Sequence, residues 1–137
     1  MAIIFDSADT KIPHLERLKI KRWINAVAAR YGQKTGDISY IFCSDSEILR
    51  INNQYLNHDY YTDIITFDYS ENGIIAGDIF ISVDTVKSNS EKFKTAFNDE
   101  LHRVIIHGIL HLLGFKDKSN EEEKEMRTRE DECLLIL

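Results

Sequence analysis

The sequence predicts an α+β fold: one domain over residues 1–137, with a mixed sheet of about four strands packed against helices and one apolar helix near its centre. Three observations carry this prediction. Segments of two-residue alternation and of helical periodicity follow one another as β-α-β-α-β-β-α-α-α, an order that belongs to the α+β class. Residues 104–113, VIIHGILHLL, are apolar nearly all round, as a helix buried on every side must be. A chain of 137 residues with 43% hydrophobic and 29% charged side chains and a single proline suits one compact core.

Taken in order, AIIFDS reads as a short strand. Pro13 in KIPHLERL suits the first turn of a helix, where its missing N–H costs little. That helix runs to about Tyr31, with Leu15, Leu18, Ile24, Val27 and Ala28 as its inward stripe, Trp23 in the core or at its rim, and Gly32 closing it. Residues 37–44 alternate as a half-buried strand. Ser44 and Glu47 then form a capping-box pattern ahead of Ile48, Ile51 and Tyr55 at helical spacing. After a polar loop over 56–62, IITFDY and IIAGDIFISV read as strands of a hairpin around Ser70, Glu71, Asn72 and Gly73. Residues 84–94 are weakly helical, and Asn98, Asp99 and Glu100 open the central helix with groups suited to its N-terminal dipole. Ser119 and Glu122 make a second capping box, introducing a last helix with Met126 and Leu134 on its apolar side. Its EEEKEMRTREDE stretch alternates in sign and reads as a solvated face laced with i,i+4 pairs.

A formal net charge of −6 argues against broad, sequence-independent binding of nucleic acid, whose affinity comes from counterion release by clustered Lys and Arg. Lys19, Lys21, Arg22 and Arg30 along the first helix read as a solvated face, while Lys116 and Lys118 border the most distinctive motif of the chain. Cys43 and Cys133 stand far apart in apolar segments, the pattern of buried thiols rather than a disulfide framework. With no run of about 18 apolar residues and no basic leader, no membrane partner is expected and the cytoplasm is the expected compartment.

The motif is HGILHLLGFKD, His107 to Asp117. Four residues apart, His107 and His111 share one face of a helix and can converge on one ion. Gly114 follows where a chain leaving a helix needs positive φ, and Asp117 can return as a third ligand. Two imidazoles and a carboxylate suit Zn²⁺ or a similar divalent ion with one coordination position open, the arrangement of a catalytic rather than a structural site. A cation held so acidifies water to a pKa of about 7 and polarises a phosphoryl or carbonyl oxygen, so hydrolysis is the expected chemistry.

These residues resemble the signature of the YbeY family of metal-dependent endoribonucleases, H-G-x-L-H-L-x-G-[FY]-x-H. His107, Gly108, Leu110, His111, Leu112, Gly114 and Phe115 match in order, and Asp117 stands where the family usually has a third histidine. Upstream, INNQYLNHDYYTDIITFDY and GDIFIS resemble the family's second block and following strand through Asn52, Tyr55, Asp59, Thr62, Asp63, Phe67, Gly77 and Asp78. Leu56 departs, because the family usually has an arginine there that helps to hold RNA phosphate. The resemblance covers most of residues 37–137. It implies a single-strand-specific endoribonuclease acting in 16S rRNA maturation and ribosome biogenesis, with RNA and the ribosome or its proteins as partners. It leaves the metal open, since a carboxylate in the third place alters metal preference.

On that reading His107, His111 and Asp117 hold the metal, and Asp63, Asp78 and Arg103 are the candidates for catalytic or phosphate contacts. Arg103, one turn before His107, serves equally as an ion-pair partner, and His58 is a further candidate for a fourth ligand or proton carrier. Two rival readings remain. A zinc metallopeptidase-like hydrolase shares the ligand spacing, but such enzymes place a glutamate base directly after the first histidine, where this chain has Gly108. A metal-stabilised, ribosome-associated RNA-binding module with little catalysis would fit the acidic charge and Leu56.

Overall fold

The computed structural model describes residues 2–57 and 62–137. A four-stranded mixed sheet in the order β1-β2-β4-β3 is built from β1 (Ile3–Ser7), β2 (Lys34–Cys43), β3 (Ile64–Asp68) and β4 (Ile74–Ser82). β1 and β4 flank β2 in parallel, and β3 closes the far edge as the antiparallel arm of the expected hairpin. Among the described residues five helices complete the α+β fold: α1 (Arg17–Arg30), α2 (Asp45–Leu56), α3 (Val83–Lys92), α4 (Phe97–Leu112) and α5 (Asn120–Leu134).

The pleat sorts the side chains of β2 and β4 into two cores. Ile38, Tyr40, Phe42, Ile75, Ile79 and Ile81 are buried together with α1, α4 and α5 in the larger one. On the other face, α2 lays Ile48 and Ile51 over Ile65, with Phe67 and Phe80 partly buried beside them. The expected apolar helix is α4, buried along Leu101, Val104, Ile105, Ile106, Ile109 and Leu110. The Tyr40 hydroxyl donates to the Ile105 carbonyl at 2.9 Å, which ties α4 to the central strand.

Three local expectations are corrected. Helix α1 begins at Arg17 rather than at Pro13, and its inward stripe is Ile20, Trp23, Ile24, Val27 and Ala28; Leu18 lies on the opposite arc and is exposed. Tyr55, one turn past Ile51, is likewise exposed, because it reaches only the rim of the smaller core, edge-on to Phe67 with ring centroids 6.0 Å apart. The Ser44 cap is half a capping box: its hydroxyl accepts from the Glu47 amide, but the Ser44 amide donates to Asp9 at 2.9 Å. At Ser119 both halves form.

Cys43 and Cys133 are free and buried. Burial pushes their thiols up to about 12 and about 11. At pH 8 we expect iodoacetamide to alkylate Cys133 about a hundredfold and Cys43 about a thousandfold more slowly in the folded chain than in the unfolded one, since only thiolate reacts. Mass spectrometry with and without denaturant measures this, and rapid labelling of the folded chain would contradict the burial.

Candidate metal centre

Helix α4 ends in a geometry that the sequence motif encodes. Gly114 adopts φ +104°, its amide donates to the His111 carbonyl at 3.0 Å, and the Phe115 amide donates to the Leu110 carbonyl at 3.0 Å. This pair of bonds is a Schellman motif, which satisfies the last helical carbonyls and turns the chain back on the helix. The turn brings the Phe115 carbonyl to His111 Nδ1 at 3.0 Å and carries Asp117 back to the exposed ends of both rings. Phe115 is held there against Tyr31, ring centroids 5.3 Å apart.

The three expected ligands converge. His107 Nε2 lies 2.9 Å from His111 Nε2, and Asp117 Oδ2 lies 3.2 Å from the first and 3.4 Å from the second. Tetrahedral coordination with zinc distances of about 2.0–2.1 Å requires ligand atoms about 3.3 Å apart, so this triangle fits one small divalent ion. The His107–His111–Asp117 group could therefore hold a metal ion.

Protons on the two rings follow from their partners. His107 Nδ1 lies 2.6 Å from Glu130 Oε2. Taken as side chains alone, burial works to lower the His107 pKa, but hydrogen bonds to Asp117 and Glu130 outweigh it and push it up to about 9. His111 moves down, from burial and then from the charge on His107. The neutral His111 donates from Nδ1 to Phe115 and leaves Nε2 as an acceptor. Asp117 is held below the usual carboxylate range, chiefly by its hydrogen bond to His107.

Glu130 is the functional candidate that sequence reasoning missed, and the reading of EEEKEMRTREDE as wholly solvated is corrected there. Only 5% exposed, Glu130 receives His107 through one oxygen and Arg103 Nη1 at 2.9 Å through the other. Its signal was in the spacing: Met126, Glu130 and Cys133 form the buried stripe of α5, so the carboxylate occupies an inward position.

The other candidates separate. Asp63, immediately before β3, lines a cleft of about 530 Å³ with His107, His111, Asp117, Arg127 and Glu130; burial raises its pKa, partly offset by the charge on His107. Arg103 is engaged by Glu130 and by Asp131 at 2.7 Å, the ion-pair role. Asp78 is not brought to this group. It pairs across the hairpin with Phe67 and shares the opposite face of the sheet with Ile51, Tyr55, Tyr69 and Phe80. Leu56 ends α2 as an exposed apolar side chain. His58 lies outside the described residues.

Gly108 has a packing reason. A Cβ there would stand 3.1 Å from Ile64 Cδ1 and from Ile79 Cδ1 and Cγ2, so the position after the first histidine faces the sheet and has no room for a proton-accepting side chain.

An α+β domain whose central helix and following turn aim two imidazoles and a carboxylate at one point beside a cleft has the donor set of a protein that could hold a metal ion. Comparison with known proteins makes the assignment specific. The family model described as Endoribonuclease YbeY matches residues 3–137. Proteins named Endoribonuclease YbeY are 57% identical in Parabacteroides distasonis, over all of this chain and 96% of that one, and 52% identical in Bacteroides thetaiotaomicron, over 99% of each. A Thermotoga maritima protein of known solution structure superposes with a TM-score of 0.60 at 29% identity, covering 95% of this chain and 88% of the other. The chain belongs to the YbeY endoribonuclease family, whose enzymes are hydrolases that act on RNA. Among the described residues, no helix is long and apolar enough to cross a membrane.

Proposed function

We propose that this chain is a metal-dependent, single-strand-specific endoribonuclease that acts in 16S rRNA maturation and ribosome biogenesis in the cytoplasm, with ribosomal RNA and the ribosome or its proteins as partners. The observation that carries the metal dependence is the convergence of His107 Nε2, His111 Nε2 and Asp117 Oδ2 within 3.4 Å. In this reading these three hold a divalent ion, most simply Zn²⁺, in a hydrolase domain formed by residues 1–137. When bound there, such an ion would supply Lewis acidity, the chemistry that acidifies water and polarises a phosphoryl oxygen.

The side chains do the rest. Glu130 fixes the His107 ring by accepting from Nδ1, so that Nε2 faces the ion, and the Phe115 carbonyl does the same for His111. Arg103 holds Glu130 in place through its own pair with Asp131. Asp63, a partly desolvated carboxyl in the cleft, is the group suited to take and return a proton. The outward position of Asp78 on the other face favours a structural or docking role for it over a catalytic one.

The test is incubation with single-stranded RNA, duplex RNA and casein, each with and without chelator. Cleavage of single-stranded RNA that stops with chelator and returns with added zinc supports the proposal. Cleaved casein would favour a peptidase, and intact RNA bound to the protein would favour a non-catalytic module. A second expected outcome concerns Glu130. Glu130→Gln should bind zinc about 10–100-fold more weakly, the usual effect of removing an outer partner of a ligating histidine. Competition with a chromophoric chelator measures it, and an unchanged affinity would deny Glu130 that role.

A further inference from the structure

We propose that Arg127 is the phosphate-contacting side chain of the cleft, meeting the non-bridging oxygens of an RNA phosphodiester seated beside His107, His111 and Asp117. This rests on the endoribonuclease reading for the nature of the substrate. Three observations on α5 and its surroundings carry it.

The first is the charge of the cleft. Its ionisable lining includes four carboxylates, on Asp63, Asp117, Glu123 and Glu130, and among the described residues a single guanidinium or ammonium side chain, Arg127. A polyanion entering here meets repulsion on several sides, and a divalent ion held by the two histidines and Asp117 acts at one point only. The second is availability. Arg103 is 18% exposed and fastened at 2.9 Å and 2.7 Å to Glu130 and Asp131, whereas Arg127 is 59% exposed and reaches Glu130 Oε1 only at 4.0 Å. Glu130 has already committed its oxygens to Arg103 and His107, so the Arg127 fork keeps its donors for another acceptor. The third is position. Met126, the neighbour of Arg127, is buried and anchors this turn of α5, so the arginine extends from a fixed base. Its planar fork matches two phosphate oxygens, which an ammonium cannot do.

The experiment uses the full chain and its Arg127→Ala, Arg127→Lys and Lys124→Ala variants, the last a charge-matched control on α5 away from the cleft. Bound zinc, affinity for a single-stranded oligoribonucleotide in chelator at several salt concentrations, and KM and kcat with zinc are measured. Arg127→Ala should keep its zinc, lose about tenfold or more in RNA affinity and in kcat/KM, and show a salt slope shallower by about 0.7, one phosphate contact on a single strand. Arg127→Lys should keep the parent's salt slope and recover part of the affinity, and Lys124→Ala should match the parent. Arg127→Ala with the parent's affinity, salt slope and KM overturns the proposal, as does a zinc loss that accounts for the whole defect. A parent that binds and cleaves RNA alongside an equally active Arg127→Ala variant overturns this inference alone. A parent that neither binds nor cleaves RNA overturns the endoribonuclease reading and this one with it.

Discussion

Replacing His111 with alanine should leave a folded chain that carries no stoichiometric zinc and cleaves no RNA. The His111 side chain is one corner of a triangle whose other corners lie 2.9 and 3.4 Å away. Its loss leaves one imidazole and one carboxylate, too few donors to hold zinc as a three-ligand catalytic site does. The fall in zinc affinity should exceed the 10–100-fold expected of an outer partner such as Glu130. Folding should survive, because the ring is partly exposed at the cleft, its removal leaves the Phe115 carbonyl unpaired only at the rim of the turn, and His107 and Asp117 keep each other as partners at 3.2 Å. Zinc content by plasma emission spectroscopy, circular dichroism and cleavage of a labelled RNA check the three parts. A second readout follows from the proton on the neighbouring ring. Below about pH 9 His107 holds a proton that a metal must displace, so zinc uptake by the parent should weaken as pH falls and should release protons to the buffer. A His111→Ala variant that retains one zinc per chain would remove this residue from the ligand set.

What the sequence disclosed of this site is the part encoded by short spacings. The four-residue step from His107 to His111 needs only a helix, and the positive φ at Gly114 needs only the helix to end there; Asp117 then returns because the Schellman bonds leave the chain little choice. The sheet was legible for the same reason, since alternation in β2 and β4 is a local signal. Contacts between distant segments were not. Glu130 meets His107 across 23 positions, and its charged neighbours on α5 masked the fact that it shares the stripe of Met126 and Cys133. Asp63 and Asp78 looked equivalent in sequence because both sit beside strand residues. The hairpin register separates them: Ile64 faces Ile81 at the cleft end, while Asp78 faces Phe67 and, alternating with the buried Ile79, turns towards α2. Helix α1 began later than Pro13 suggested, since a favourable N1 residue marks a permitted start and only packing, from Ile20 onward, selects the actual one.

Gly108 makes the strongest structural prediction, and it separates nuclease from peptidase on physical grounds. Installing the glutamate that a zinc peptidase of this ligand spacing would use, Gly108→Glu, should unfold the chain rather than create a protease. Gly108 is buried on the face of α4 that presses on the hairpin, with the ends of Ile64 and Ile79 at 3.1 Å from where a Cβ would stand. A carboxylate there would be buried among isoleucines without a partner, at a cost of several kcal/mol, comparable to the roughly 5–15 kcal/mol that holds a typical domain together. Gly108→Ala gives the scale of the steric part alone. Its overpacking cost of about 1–3 kcal/mol is offset by up to about 1 kcal/mol of better helix propensity, because the crowded atoms are side-chain ends that can shift. The alanine variant should therefore fold, with a loss of about 1 kcal/mol in urea denaturation, and should keep its zinc. A soluble, folded Gly108→Glu protein with parental stability would mean that α4 can rotate or lift from the hairpin, and the position after the first histidine would then be open to a general base after all.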